Sequence, residues 1–502
     1  MKILLSVVAL LLMVPGPTAT GQERDLDLVL AGGRVMDPET GLDAVRQIGI
    51  RGDQIAVIST QSLDGRLRAS GKRVGASGLV VAPGFIDLHA HGQSTRSSEF
   101  QAHDGVTTAL ELEWGYPLIG RWLESRAGKS LVHYGATVAH GHVRTLAMPD
   151  LAKQAAFETE RTLGLETLEA ILPLPGTARI AGFSKPLDVA RLPLLRELLD
   201  RGLNEGALGI GMGLQYYPGA QADEVFRVFQ HAARKTVPVF THVRSMAVDA
   251  MQEVIANAAA TGASLHIVHI NSSSLGHIGV TLEMIRGAQQ RGLDVSAEVY
   301  PYTAASTGIQ STLFDPGWQE KLGIDYGDLQ WQDTRERLTA ETFAKYRKQG
   351  GVVILHMMKE EWIESALRSP FVMIASDGMP YAPGAHPRSA GTFCRVLGRY
   401  VRERKTLSLM DALRRMTLLP AQRLDQVSPA MRKKGRVQEG ADADLTIFDP
   451  ARVADTATFE RSLSFSEGIQ HVIVAGTIVV SDGATVPGVF PGRAVLGRYR
   501  TP

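Results

Sequence analysis

From residue 83 to about residue 424, short apolar runs alternate with amphipathic stretches. The runs include residues 105–112, 206–210, 237–242, 264–269 and 371–377, and helix-patterned pieces such as 223–235 and 248–261 lie between them. A short apolar run reads as a buried strand, and strands that alternate with helices pair in parallel. Repeated over this length, the alternation predicts an α/β fold, a (β/α)8 TIM-like barrel. A doubly wound sheet is the alternative, but no glycine-rich phosphate loop opens a helix here.

The ends are patterned differently. Residues 27–37 read as a hairpin turning at Gly32-Gly33, and residues 47–58 repeat the pattern. The tail supplies further strands at 444–449 and 469–480. Residues 23–82 and 425–502 are therefore expected to pair into one small β-sandwich, with the barrel of residues 83–424 inserted between them. Residues 303–350 fit the alternation poorly; with Trp318, Trp331 and many charges, they read as an insertion over the barrel mouth. At the start, Met1-Lys2, an apolar run from Ile3 to Val14 and small residues around Ala19-Thr20-Gly21 have the order of a secretory signal peptide. Residues 1–22 are excluded from the fold on this ground, and the mature protein is expected to be exported, periplasmic or secreted, without a membrane anchor.

Composition changes the picture little. A chain of 502 residues holds a barrel and a second, smaller unit, and 44% hydrophobic with 21% charged residues is ordinary for a globular protein. A net charge of +1 predicts no attraction to nucleic acid or to an anionic membrane. The single cysteine, Cys394, excludes an intrachain disulfide and reads as a buried small residue rather than a nucleophile.

Candidate chemistry enters with Pro83-Gly84-Phe85-Ile86-Asp87-Leu88-His89-Ala90-His91. Strand side chains alternate faces, so His89 and His91 point the same way, as a zinc-like divalent ion requires. His242 ends one later run, His269 ends the next, and Asp377 ends another. In a barrel the carboxyl ends of the strands meet on one face, so these five residues can share one site.

With these residues in view, the chain resembles the metal-dependent amidohydrolases and, within them, the N-acyl-D-amino-acid deacylases (D-aminoacylases). The likeness covers nearly the whole mature chain. It rests on His89-Ala90-His91, Gly105-Val106-Thr107-Thr108, Tyr300-Pro301-Tyr302, Ser376-Asp377-Gly378, His386-Pro387-Arg388, Gly391-Thr392-Phe393 and the tail from Gly435 to Asp444. The resemblance implies one metal position among His89, His91 and Asp377 and another at His242 and His269, holding one or two Zn2+ or similar ions. It also implies a bridging ligand at the end of the second strand, where these deacylases commonly carry a cysteine. This chain departs there, with Glu111-Leu112-Glu113-Trp114-Gly115. A carboxylate can bridge two divalent ions; Glu113, nearer the carboxyl end, is preferred, with Glu111 and a carboxylated Lys185 as alternatives.

The expected reaction is hydrolysis of the amide of a small N-acylated D-amino acid by metal-activated water, with Asp377 as general base and then acid. Tyr302 or a second metal would polarise the carbonyl. Arg388, and after it Arg244, would bind the substrate carboxylate. His140, His142 and Arg144 resemble a pocket-lining segment, with a structural role equally open. The alternatives are hydrolysis of D-containing dipeptides or of a cyclic amide, and a catalytically inactive barrel scaffold.

Overall fold

A computed structural model describes residues 24–163 and 176–500; the expected signal segment lies outside them. Its centre is an eight-stranded parallel sheet whose strands neighbour one another in chain order. They are β1 (Phe85–Asp87), β2 (Val106–Tyr116), β3 (His133–Ala139), β4 (Ile210–Gly213), β5 (Val239–His242), β6 (Leu265–Ile267), β7 (Val295–Val299) and β8 (Val372–Ile374). The last strand returns to the first through a bridge between Ala90 and Gly378. Asp87 fastens this seam: its carboxylate accepts from the Ser376 backbone N–H at 3.0 Å and from the Ser376 hydroxyl at 2.5 Å. Burial pushes the Asp87 carboxyl up to about 6 against these donors.

The helices follow from their apolar stripes. Ala222–Lys235 buries Val225, Val228, Phe229 and Ala232, the three-and-four spacing of one helical face, and starts with Asp223 and Glu224 and ends with Arg234 and Lys235. That face joins the barrel's own apolar core, to which β5 contributes Val239 and Phe240.

The two ends of the chain form one nine-stranded sheet. Its junction is Val80–Pro83, which pairs antiparallel with Leu445–Phe448 and leads directly into β1. The expected hairpin at 27–37 is instead a single strand, Leu26–Asp37, with an irregularity in register between Leu30 and Gly33. Gly32 takes a φ of +76°, while a Cβ on Gly33 would meet Val81 Cγ2 at 2.5 Å. The glycine pair thus lets the strand bend against its neighbours rather than reverse. The turn expected in 47–58 does form, between Leu42–Arg51 and Gln54–Ser59.

The insertion is a small unit with its own sheet, Ala305–Gly308, Leu329–Trp331 and Val352–Leu355, the last lying just past residue 350. Phe314, Trp318, Trp331 and Tyr346 fill its core, and the Trp331 and Tyr346 rings stack at 4.0 Å. No helix among the described residues is long and apolar enough to cross a membrane.

Candidate metal centre

Strand geometry delivers the site. β2 is buried from Val106 to Gly115, so Glu111 and Glu113, two positions apart, both face the barrel interior near its carboxyl end. His242 closes β5, while His269 and Asp377 follow β6 and β8 in the left-handed backbone region, with φ of 33° and 51°. A non-glycine residue there costs on the order of 1 kcal/mol, and such strain clusters at functional sites.

Two donor groups result, sharing Glu113: His89, His91, Glu113 and Asp377, and Glu113, His242 and His269. In the first group, His89 Nε2 lies 3.2 Å from His91 Nε2, 3.0 Å from Glu113 Oε2 and 3.4 Å from Asp377 Oδ1. His91 Nε2 lies 3.2 Å from Glu113 Oε2 and 3.3 Å from Asp377 Oδ1. A tetrahedron of zinc–ligand bonds near 2.05 Å has edges of about 3.3 Å, so these separations fit a four-coordinate divalent ion. In the second group, Glu113 Oε1 lies 2.7 Å from His242 Nδ1 and 3.1 Å from His269 Nε2, and the two imidazole nitrogens are 3.0 Å apart. Imidazole nitrogens converging on one another and on buried carboxylates are the donor set of a cation site.

The electrostatics agree. Against the penalty of burial, Asp377, Glu113 and Glu298 hold His89 well above the usual histidine range, and Glu111, Asp377 and Glu113 do the same for His91. Burial opposes ionisation of Glu113, but His89, His242 and His269 hold it well below the usual carboxylate range. Asp377 is likewise lowered despite burial, chiefly by Arg388 and His89.

The sequence profile of the amidohydrolase family matches residues 73–480. The chain belongs to that family. It is 32% identical to a D-aminoacylase of Alcaligenes xylosoxydans xylosoxydans over 94% of this chain and 98% of the relative. An N-acyl-D-glutamate deacylase of the same organism is 28% identical, over 94% and 96% of the two chains. A crystal structure of N-acyl-D-glutamate deacylase from Bordetella bronchiseptica, complexed with zinc and a phosphonate inhibitor that mimics the tetrahedral intermediate, superposes with a TM-score of 0.76. It is 26% identical, covering 94% of this chain and 100% of that one. A D-aminoacylase structure concerned with a binuclear metal centre gives 0.74 at 26% identity, over 94% and 100%. This amidohydrolase is therefore a metal-dependent amide hydrolase of the D-aminoacylase type.

Further buried groups in the amidohydrolase hold the imidazoles in place. His89 Nδ1 meets Glu298 Oε1 at 2.6 Å, and Glu298 Oε2 meets His266 Nε2 at 2.9 Å. His91 Nδ1 meets Glu111 Oε2 at 2.6 Å, and His269 Nδ1 meets Ser273 Oγ at 3.0 Å. Glu111 thus supports one ligand while Glu113 touches all four histidines. Lys185 is at the surface, paired with Asp150 at 2.6 Å. Glu298 and His266 were not read from the sequence; the available signal was an acidic residue inside the apolar run of β7.

The cavity over the centre is walled by Trp114, Tyr216, Met246, Leu313, Leu355, Met357 and Met379, with Ser272, Ser306 and Thr307 as polar points. Much of this wall comes from the insertion and its third strand. Arg388 is fully buried behind Asp377, 2.9 Å from its Oδ2, with its guanidinium 4.6 Å from the Tyr300 ring centroid. It therefore faces that carboxylate. Tyr302 is not on the cavity wall: its ring packs against His386 and under Arg395 in the insertion's core. Arg244 is held by Glu253 at 2.7 Å and by the Ala220 carbonyl. Arg144 binds Glu224 at 2.8 Å, with His140 3.1 Å from the same oxygen, and His142 Nε2 meets Arg179 at 2.6 Å. These arginines and histidines are held by side chains of neighbouring helices and are not among the cavity-lining residues. Cys394 is buried, its N–H donating to Asp104.

Proposed function

We propose that this amidohydrolase cleaves the amide bond of N-acylated D-amino acids. One observation carries the reading: two buried donor groups share Glu113 at the floor of a cavity, in a chain similar over 94% of its length to D-amino-acid deacylases. Held by these residues, a divalent ion supplies Lewis acidity and makes water acidic near neutral pH.

The chain's own groups do the rest. Asp377 Oδ1 faces the His89 and His91 nitrogens and Oδ2 faces Arg388, which keeps the carboxylate ionised and oriented. It accepts the proton of the attacking water and returns it to the leaving amine. Tyr216 replaces Tyr302 as the phenol for the carbonyl oxygen, because it lines the cavity with its ring 5.0 Å from that of His242. Burial raises its pKa, so it stays a donor. Arg388, expected to bind the substrate carboxylate, is instead buried behind Asp377 and off the cavity wall, and acts here by orienting the Asp377 carboxylate.

The protein is exported on this reading, on the strength of the signal-like pattern of residues 1–22. Cell fractionation with mass measurement of the mature chain checks this. Zinc-loaded protein is to be assayed against N-acyl-D- and N-acyl-L-amino acids, D-containing dipeptides and cyclic amides. Release of amine from the N-acyl-D-amino acids supports the proposal; cleavage confined to the other classes refutes it.

A further inference from the structure

The barrel has a second, larger pocket at its other mouth. The metal-binding residues sit at the carboxyl ends of the strands, whereas Pro238, Ser264, Asp294 and Phe371 stand immediately before β5, β6, β7 and β8, at the amino ends. The pocket there has a volume of about 800 Å³, against about 50 Å³ over the metal centre, and falls in the range of small-molecule sites. Nothing in the proposed hydrolysis uses it.

Its charge is one-sided. Arg286, Arg414 and Arg423 line it against a single carboxylate, Asp294. That carboxylate is already taken: Arg423 Nη1 donates to Asp294 Oδ1 at 2.5 Å, and Nη2 donates to Ser264 Oγ at 2.6 Å. Arg286 and Arg414 are exposed and have no hydrogen bond or ion pair among the described residues. Helix-end electrostatics do not account for Arg286, because Ile278–Gln290 carries no basic residue in its last turn. Arg423 is the buried member: its side chain is 4% exposed, and its Nε has no acceptor among the described residues. A buried guanidinium N–H without an acceptor is costly, and an anion seated against Arg423 would supply one.

Much of the remaining wall is apolar, with Phe371, Met373, Val295 and Val427. Leu419, Gln422 and Arg423 share one face of Leu418–Leu424 by their three-and-four spacing, which sets an apolar and a charged group side by side. We infer that this pocket is a second ligand site, separate from catalysis, for an organic anion. Its carboxylate or phosphate head is held by the three arginines, and its apolar body lies against Phe371, Met373 and Val427. Guanidinium matches both heads through parallel N–H donors. Every residue invoked lies outside the metal centre, so the assignment does not depend on which amide is cleaved.

Zinc-loaded protein would be titrated calorimetrically with octanoate, octyl phosphate and the neutral octanamide. Crystals soaked in ω-bromooctanoate would be measured at the bromine edge. The bromine peak should lie beside Phe371 and Met373, and octanamide should bind about tenfold or more weakly than the better anion. The stronger of the two anions identifies the head group. Replacing two surface residues together, Arg286→Gln and Arg414→Gln, should weaken that anion by about tenfold or more, with kcat/KM for amide hydrolysis unchanged. Equal binding of octanamide and the anions, an anion affinity untouched by the double substitution, or bromine found only at the metal centre overturns the assignment. The bromine position in wild-type crystals decides it even if the double variant fails to fold.

Discussion

Replacing Asp377 by Asn separates proton transfer from everything else this residue does. Asn has the same shape and is among the few residues that tolerate a φ such as the 51° seen here, so the loop after β8 should keep its course. What is lost is the charge that faces the His89 and His91 nitrogens at 3.4 and 3.3 Å and Arg388 at 2.9 Å. A general acid–base group contributes about 10²- to 10⁴-fold, and this carboxylate is asked to act in both directions. The expected fall in kcat is thus near the top of that range, about 5 kcal/mol of activation free energy. The assay is amine release from an N-acyl-D-amino acid, with metal content measured on the same samples. Variant protein with wild-type metal content and more than about a tenth of wild-type kcat would refute the role. The metal-free variant should also unfold more easily, because the buried Arg388 guanidinium loses its only ion-pair partner among the described residues, at a cost of about 3 kcal/mol.

Other expectations follow from the same geometry. Glu113→Gln removes the charge that touches four imidazoles, so metal analysis after dialysis should find the second equivalent lost. The described residues lining the cavity include no lysine or arginine, and its walls are mainly Met, Leu and aromatic groups; N-acyl-D-methionine and N-acyl-D-leucine should exceed the D-glutamate and D-aspartate analogues in kcat/KM by about a hundredfold or more, and equal rates would contradict this. Burial pushes Asp104 up to about 7, although it accepts from Phe393 N–H, Cys394 N–H and Ser466 Oγ. A folded value above the unfolded one means that its contribution is complete below about pH 4 and lost as pH rises through 7. The stability difference between wild type and Asp104→Asn, followed by denaturant unfolding, should therefore shrink by up to about 4 kcal/mol over that interval.

The parts of the centre legible in the sequence are those that a single strand can present. His89 and His91 share a face by the two-residue period, and His242, His269 and Asp377 each close or follow an apolar run. The same period put Glu111 and Glu113 on one face but could not say which reaches further; that depends on the neighbours β3, β5 and β6. Glu298 was hidden because its partners, His89 and His266, sit on other strands. The orientations of Arg388 and Tyr302 were set by the insertion, whose sheet closes around residues far apart in sequence. Gly32-Gly33 carries the local signature of a turn, yet Val81 and Ala76 packing against the strand make it a bend.

The pairing of Val80–Pro83 with Leu445–Phe448 has a consequence for timing. During synthesis every metal ligand leaves the ribosome well before the strand at 445–448, and yet that strand clamps the segment feeding β1 and its two histidines. Closing so long a loop comes late in assembly. A nascent chain stopped before Asp444 would hold all six ligands and still lack the clasp that sets the first two, so the capacity to capture metal should mature only when the final strands dock.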